Sequence, residues 1–116
     1  MREPLSRTRL LGRKSRPQPG GAYSQTEIDA QLSELPGWSQ RDGAIERSYA
    51  FRDYYETIAF VNAIAWTVHG EDHHPDLVVG YNRCTVRFST HSVGGISEND
   101  FICAAKTDAV FGRSGN

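Results

Sequence analysis

Only two cysteines, at positions 84 and 103, occur in the 116 residues, too few for a disulfide framework and in keeping with a reducing compartment. No apolar run approaches the roughly 18 residues of a membrane span, which excludes a transmembrane helix. No apolar stretch follows the basic N-terminus, so a secretory leader is not expected and the cytoplasm is the expected location. The length leaves little room for a second domain. Charge of one sign is lacking too: 13 Lys and Arg stand against 14 Asp and Glu, a formal charge of -1.

That balance conceals an asymmetry. Residues 1–24 hold Arg2, Arg7, Arg9, Arg13, Lys14 and Arg16 against Glu3 alone, while the rest carries 7 basic against 13 acidic groups. The first 23 residues also hold three prolines and only three leucines, too little apolar surface to offset the entropy of ordering. They are expected to form a disordered basic arm, ahead of a domain over 24–112 and a tail over 113–116. A solvated leader is the simplest role for the arm. The alternatives are docking on an acidic partner or nucleic acid, or organelle targeting.

From Ser24 onward the patterns are local and consistent. Ser24 with Glu27 is a capping box, followed by Ile28, Leu32 and Leu35 at helical spacing up to Pro36-Gly37. Arg41-Asp42-Gly43 marks a hairpin turn before Ile45, Arg47, Tyr49 and Phe51, which alternate with Glu46, Ser48 and Ala50. Asp53 and Glu56 start a second helix whose predicted apolar stripe is Ile58, Val61, Ala65 and Val68, flanked by Phe60 and Trp66. Pro75 prevents this helix from passing His74. A second hairpin pairs residues 77–81 with 84–91, where Cys84, Val86, Phe88 and Thr90 form the apolar face. Ser97 caps a last helix with Asp100 at its third position, and Gly112 is expected to end it. The order predicts an α+β fold, α-β-β-α-β-β-α, with three helices on one face of a four-stranded antiparallel sheet.

Three of the four histidines fall in His69-Gly70-Glu71-Asp72-His73-His74-Pro75, and the fourth is His91 at a strand end. Imidazoles at a helix C-terminus, beside Glu71, Asp72 and Asp76, suit a site where one ring gives a proton and another accepts one. A competing reading is a metal site, because His69 and His73 are four apart and an Asp or His91 would add a ligand. The bland alternative is a solvated helix end with incidental histidines.

The cluster belongs to a longer pattern. His69, His73-His74-Pro75, Tyr81, His91 and Asp100 match at every spacing the motif of the pterin-4a-carbinolamine dehydratase family, which the chain resembles from about Ser24 to Gly112. The resemblance implies a hydro-lyase that dehydrates 4a-hydroxytetrahydrobiopterin to quinonoid dihydrobiopterin, with pterin as substrate and neither cofactor nor metal. It implies His73 and His91 as acids and His74 as base and pterin contact. Pro75 would aim the paired imidazoles, with Asp100, His69, Asp72 and Thr90 in supporting positions. At position 69, many members carry a Glu that this chain lacks. Tyr81 is expected to pack in the core or on the sheet.

The stretches Tyr81–Cys84, Ser89–His91 and Ser97–Lys106 are also similar to a bacterial branch that includes dehydratase-like Rubisco assembly factors of the α-carboxysome. That branch implies an alternative: a chaperone with little or no dehydratase activity, carboxysome-associated, meeting Rubisco through the basic arm or another surface. The family further implies a homodimer or homotetramer, and an open sheet edge gives a physical reason for one. Neither a membrane nor a nucleic acid is an expected partner.

Overall fold

A computed structural model describes residues 1–17 and 20–113. The four-stranded antiparallel sheet has the order β1-β2-β4-β3, with β1 over Ser39–Arg41, β2 over Ala44–Ala50, β3 over Asp76–Val79 and β4 over Arg83–Phe88. Helices α1 (Arg7–Leu11), α2 (Gln25–Leu32), α3 (Tyr54–Glu71) and α4 (Glu98–Arg113) complete it, with a 3-10 turn at His91–Val93. The three longer helices are those expected. The last runs past Gly112 to Arg113, while residues 114–116 of the expected tail, like 18 and 19 of the arm, lie outside the described residues.

Local chemistry sets most boundaries. Ser24 and Glu27 form the capping box, Ser24 Oγ accepting from Glu27 N–H at 3.2 Å and Glu27 Oε1 from Ser24 N–H at 2.8 Å. Asp53 caps α3 by accepting from Glu56 N–H at 2.9 Å. Between β1 and β2, Asp42 (φ 50°) and Gly43 (φ 79°) make the tight two-residue turn that the right-handed strand twist favours. Strand β4 buries Cys84, Val86 and Phe88, as its alternation predicts.

Helix α3 buries only part of the expected stripe, Val68 with Phe60 beside it, while Val61 packs half-buried on the core. Its buried residues are Thr57, Phe60, Ile64, Val68 and Glu71, whereas Ala65 is exposed and Trp66 is 81% exposed. The helix is apolar nearly all round, so spacing alone does not select a face; packing on the sheet does. Two polar groups enter the buried stripe because each is satisfied there. Thr57 Oγ1 reaches the carbonyls of Asp53 (2.9 Å) and Tyr81 (3.0 Å), and Glu71 accepts from Lys106 Nζ at 2.7 Å. Tyr81 itself, expected in the core or on the sheet, is 66% exposed in the β3–β4 turn and so outside the core.

The largest departure is the N-terminal segment. Residues 1–17 are not a disordered arm: they fold back over the domain, with Leu5 and Leu10 in its core. The acidic body supplies the partners that the segment lacks by itself. Arg2 pairs with Glu27 at 2.9 Å, Arg7 with Asp108 at 2.6 Å and Arg13 with Glu98 at 3.0 Å. Gln31, buried in α2, exchanges two 2.8 Å hydrogen bonds with the Leu5 backbone, accepting its N–H and donating to its carbonyl. The charge asymmetry is thus an internal match between segment and body.

Two of these carboxylates make the docking acid-sensitive. Backbone N–H groups of Arg2 and Ser24 hold the Glu27 carboxyl down at about 2, against an ordinary 4.5. Burial pushes Glu71 up, but hydrogen bonds from Lys106 and the Ser15 N–H outweigh it and hold that carboxyl below its usual range. Both are therefore lower in the folded than in the unfolded chain. Their contribution is complete above about pH 4.5 and fades as the pH falls, for Glu27 through about 2. Hydrogen exchange followed down this range is expected to show the amides of Arg2 and Ser15 losing protection before those of β4. Simultaneous loss would contradict it.

Candidate active site

The site is built where α3 ends and β4 leaves the sheet. Asp72, at the C-cap of α3, adopts the left-handed conformation (φ 53°, ψ 43°), and its N–H closes the last turn on the carbonyls of Val68 and His69. The chain then leaves the helix, Pro75 disfavours helical backbone at His74, and β3 begins at Asp76. At the other wall, Thr90 pairs with Gly95 around the 3-10 turn that begins at His91. Gly94 closes that turn at φ 68°, a conformation that strains residues with a side chain.

His73 is the most constrained of the imidazoles. Its Nε2 lies 2.5 Å from Asp100 Oδ1, and its ring stacks on Phe88 with centroids 6.0 Å apart and planes within 13°. Asp100 is fully buried, and its Oδ2 accepts from Ser97 N–H at 2.9 Å and Thr90 Oγ1 at 2.8 Å. Thr90 gives its proton to the carboxylate, so the Ser97 hydroxyl, 2.7 Å away, donates to Thr90 Oγ1. A carboxylate offers only acceptors, so His73 presents Nε2–H to it and keeps Nδ1 for exchange with a ligand. The local reading of Asp100 as a helix cap is correct and incomplete: the same side chain reaches His73, 27 residues earlier.

His73, His74, Pro75, His91, Asp72 and Thr90 line one open hollow of about 390 Å³, joined by Asp76, Ser89 and Ser92. His74 and His91 are exposed at its rim, whereas the His73 side chain is only 12% exposed. His69 is not part of it: it sits on the outer surface of α3, its ring centroid 6.4 Å from that of Trp66. Helix α3 stops at Glu71, so His69 and His73 are not successive turns of one helix. Among the described residues, no group of three His, Cys, Asp or Glu is placed to hold a metal ion. Nor does either cysteine offer a nucleophile: burial pushes the Cys103 thiol up to about 12 and raises that of Cys84. Such a site, with three imidazoles on one solvent-accessible hollow, can deliver and remove protons.

The comparisons with known proteins bear on the same residues. The family model for pterin 4 alpha carbinolamine dehydratase matches residues 21–110. The chain belongs to this family. A Bdellovibrio bacteriovorus protein named "Putative pterin-4-alpha-carbinolamine dehydratase" is 58% identical over 113 residues, covering 94% of this chain and 93% of that one. A Stenotrophomonas maltophilia protein of the same name is 53% identical over 109 residues, covering 92% and 91%. Among solved structures, the transcriptional coactivator/pterin dehydratase from Brucella melitensis superposes with a TM-score of 0.74 at 34% identity, over 78% of this chain and 98% of its own. A pterin dehydratase-like protein described as a RuBisCO assembly factor in the alpha-carboxysome superposes with a TM-score of 0.58 at 23% identity, over 67% and 93%. That likeness is one of fold.

Sequence reasoning set Asp76 beside the histidines but missed Ser89 and Ser92 on the wall of the hollow, and Phe88 beneath His73. The alternation in β4 marks Phe88 as inward-facing, but no local signal says which ring it meets. It also missed Ser15, Arg16 and Pro17, which border a smaller cavity of about 140 Å³ that shares Asp72, His73, Thr90 and Ser92 with the larger one. Nothing in the composition of the arm predicts that contact.

Proposed function

We propose that the protein is a 4a-hydroxytetrahydrobiopterin dehydratase, acting in recycling of the tetrahydropterin. The reading rests on family membership and on one observation, that His73, His74 and His91 border a common hollow with His73 held by a buried carboxylate. In the reaction the C4a–O bond breaks, the hydroxyl takes a proton and leaves as water, and N5 loses its proton as the C4a–N5 double bond forms. The change is redox-neutral, so histidines suffice and no cofactor is required. His73 and His91 serve as acids toward the departing oxygen, and His74 as the base and pterin contact. Asp100 holds Nε2–H and fixes the orientation of His73, so that the proton His73 gives to the departing oxygen comes from Nδ1 of the doubly protonated ring, while Thr90, Asp72 and Pro75 shape the wall. His69 lies outside this arrangement and is given no part in the reaction.

The assay is direct: purified protein is added to freshly formed 4a-hydroxytetrahydropterin and the appearance of the quinonoid product is followed. Acceleration over the buffer rate supports the reading, and its absence removes it.

The same reading includes a homodimer or homotetramer. Among the described residues the outer edge of β3 has no strand partner, with Val78 66% exposed, and Tyr55 and Trp66 stand 84% and 81% exposed on α3. Sedimentation is expected to give a mass at least twice that of one chain, reduced by Trp66→Glu or by Val78→Lys. A monomeric wild type would exclude assembly. No described helix is long and apolar enough to cross a membrane.

A further inference from the structure

Residues 13–16 cross both pieces of backbone that bring His73 and Asp100 together. At the end of α3, Lys14 Nζ donates to the Gly70 carbonyl at 2.6 Å and Ser15 N–H to Glu71 Oε1 at 2.7 Å. At the start of α4, Arg13 Nη1 donates to both oxygens of Glu98 at 3.0 Å. Next to it, the Asn99 amide pairs with the Arg16 backbone in both directions: Arg16 N–H donates to Oδ1 at 3.2 Å, and Nδ2 donates to the Arg16 carbonyl at 2.7 Å.

Asn99 is buried and immediately precedes Asp100. Its position in the helix does not account for its side chain. The capping bond from its own N–H to Ser97 Oγ, at 3.2 Å, is made by the backbone and would survive any substitution except proline. The carboxamide is instead committed to the backbone N–H and carbonyl of one residue 83 positions earlier, Arg16, which borders the cavity beside His73. The carboxamide uses both of its ends there, Oδ1 as acceptor and Nδ2–H as donor.

We propose that Asn99 is a positioning residue: by holding the Arg16 backbone against the start of α4, it fastens residues 13–16 across the two helix ends and keeps His73 on Asp100, so that the N-terminal segment is a working wall of the site. The kinetic consequence rests on the dehydratase reading; the geometric one does not. The segment touches no reacting atom. It limits how far the end of α3 can move from the start of α4, and with that how often the imidazole leaves the carboxylate.

The test reads the His73 ring directly. In proton NMR, the wild type is expected to show a slowly exchanging downfield ring N–H, assigned by its loss in His73→Ala. In Asn99→Ala its exchange should quicken about fivefold or more, the effect of losing a pair of hydrogen bonds on local opening. Arg2→Ala, which loosens the segment only at its far end beside Glu27, should leave it unchanged. With 4a-hydroxytetrahydropterin as substrate, Asn99→Ala is expected to lower kcat about tenfold with KM within twofold. If Asn99→Ala fails to fold, Asn99→Asp, which keeps the acceptor and loses the donor, is read in the same way. A folded variant with unchanged ring exchange overturns the proposal, and so does a wild type without the resonance. A wild type that shows the resonance but no dehydratase activity removes only the dehydratase reading.

Discussion

His73→Ala is expected to lower kcat for 4a-hydroxytetrahydropterin dehydration by about two to three orders of magnitude, the range associated with removing one positioned acid or base. The prediction is large for this ring because it alone of the three is both bound to a buried carboxylate, 2.5 Å away, and stacked on a core aromatic. Its orientation is settled before substrate arrives, so its removal forfeits catalysis that the exposed rings at the rim cannot replace. His69→Ala is the matched control: that ring lies on the outer surface of α3, and its loss should change kcat by less than about twofold. Rapid-mixing kinetics on the two variants separate the outcomes. Equal rates for His73→Ala and wild type would take His73 out of the chemistry, and a large loss in His69→Ala would show that the hollow is not the site.

Asp108→Ala is expected to be the most destabilising single change outside the site, at about 3–5 kcal/mol. Asp108 sits on α4 with its side chain 9% exposed and gathers groups from three parts of the chain. Arg7 of the N-terminal segment donates at 2.6 Å, Arg47 of β2 at 2.9 Å and Trp38 Nε1 at 3.0 Å, and the Tyr49 hydroxyl completes the set. Burial, then the charge of Asp108, pushes the Tyr49 phenol far above its ordinary range, so it remains a donor at every physiological pH. Truncation would strand this buried hydroxyl as well as the partly buried Arg47. Thermal unfolding should show a fall in Tm of roughly 10–20 °C. Arg7→Ala removes only a half-exposed partner and should cost about 1 kcal/mol or less. If the two variants melt together, Asp108 is not the junction that the hydrogen bonds describe.

Both predictions depend on contacts that local patterns do not contain. The capping boxes, the Asp-Gly turn and the alternation of β4 are legible because each depends on residues within a few positions of one another. Helix α3 was legible in its start and length but only in part in its buried face, which keeps Val68 and Phe60 and leaves Ala65 and Trp66 exposed. Ile58, Val61 and Ala65 repeat as regularly as Phe60, Ile64 and Val68, so the choice falls to the sheet they pack against. The placement of Thr57 and Glu71 in the buried stripe runs against their polarity. It depends on the Tyr81 carbonyl and Lys106, which arrive from elsewhere in the chain.

The amino-acid order by itself determined the three longer helices, the antiparallel sheet and the histidine motif, because helix caps, tight turns and period-two strands are short-range physics. Tertiary structure decided the rest. It drew His73 onto Asp100 and left His69 outside, because a helix that ends at Glu71 turns those two histidines apart. It also ordered the N-terminal segment, whose own composition cannot offset the entropy of folding but whose arginines and two leucines find carboxylates and a core on the acidic body.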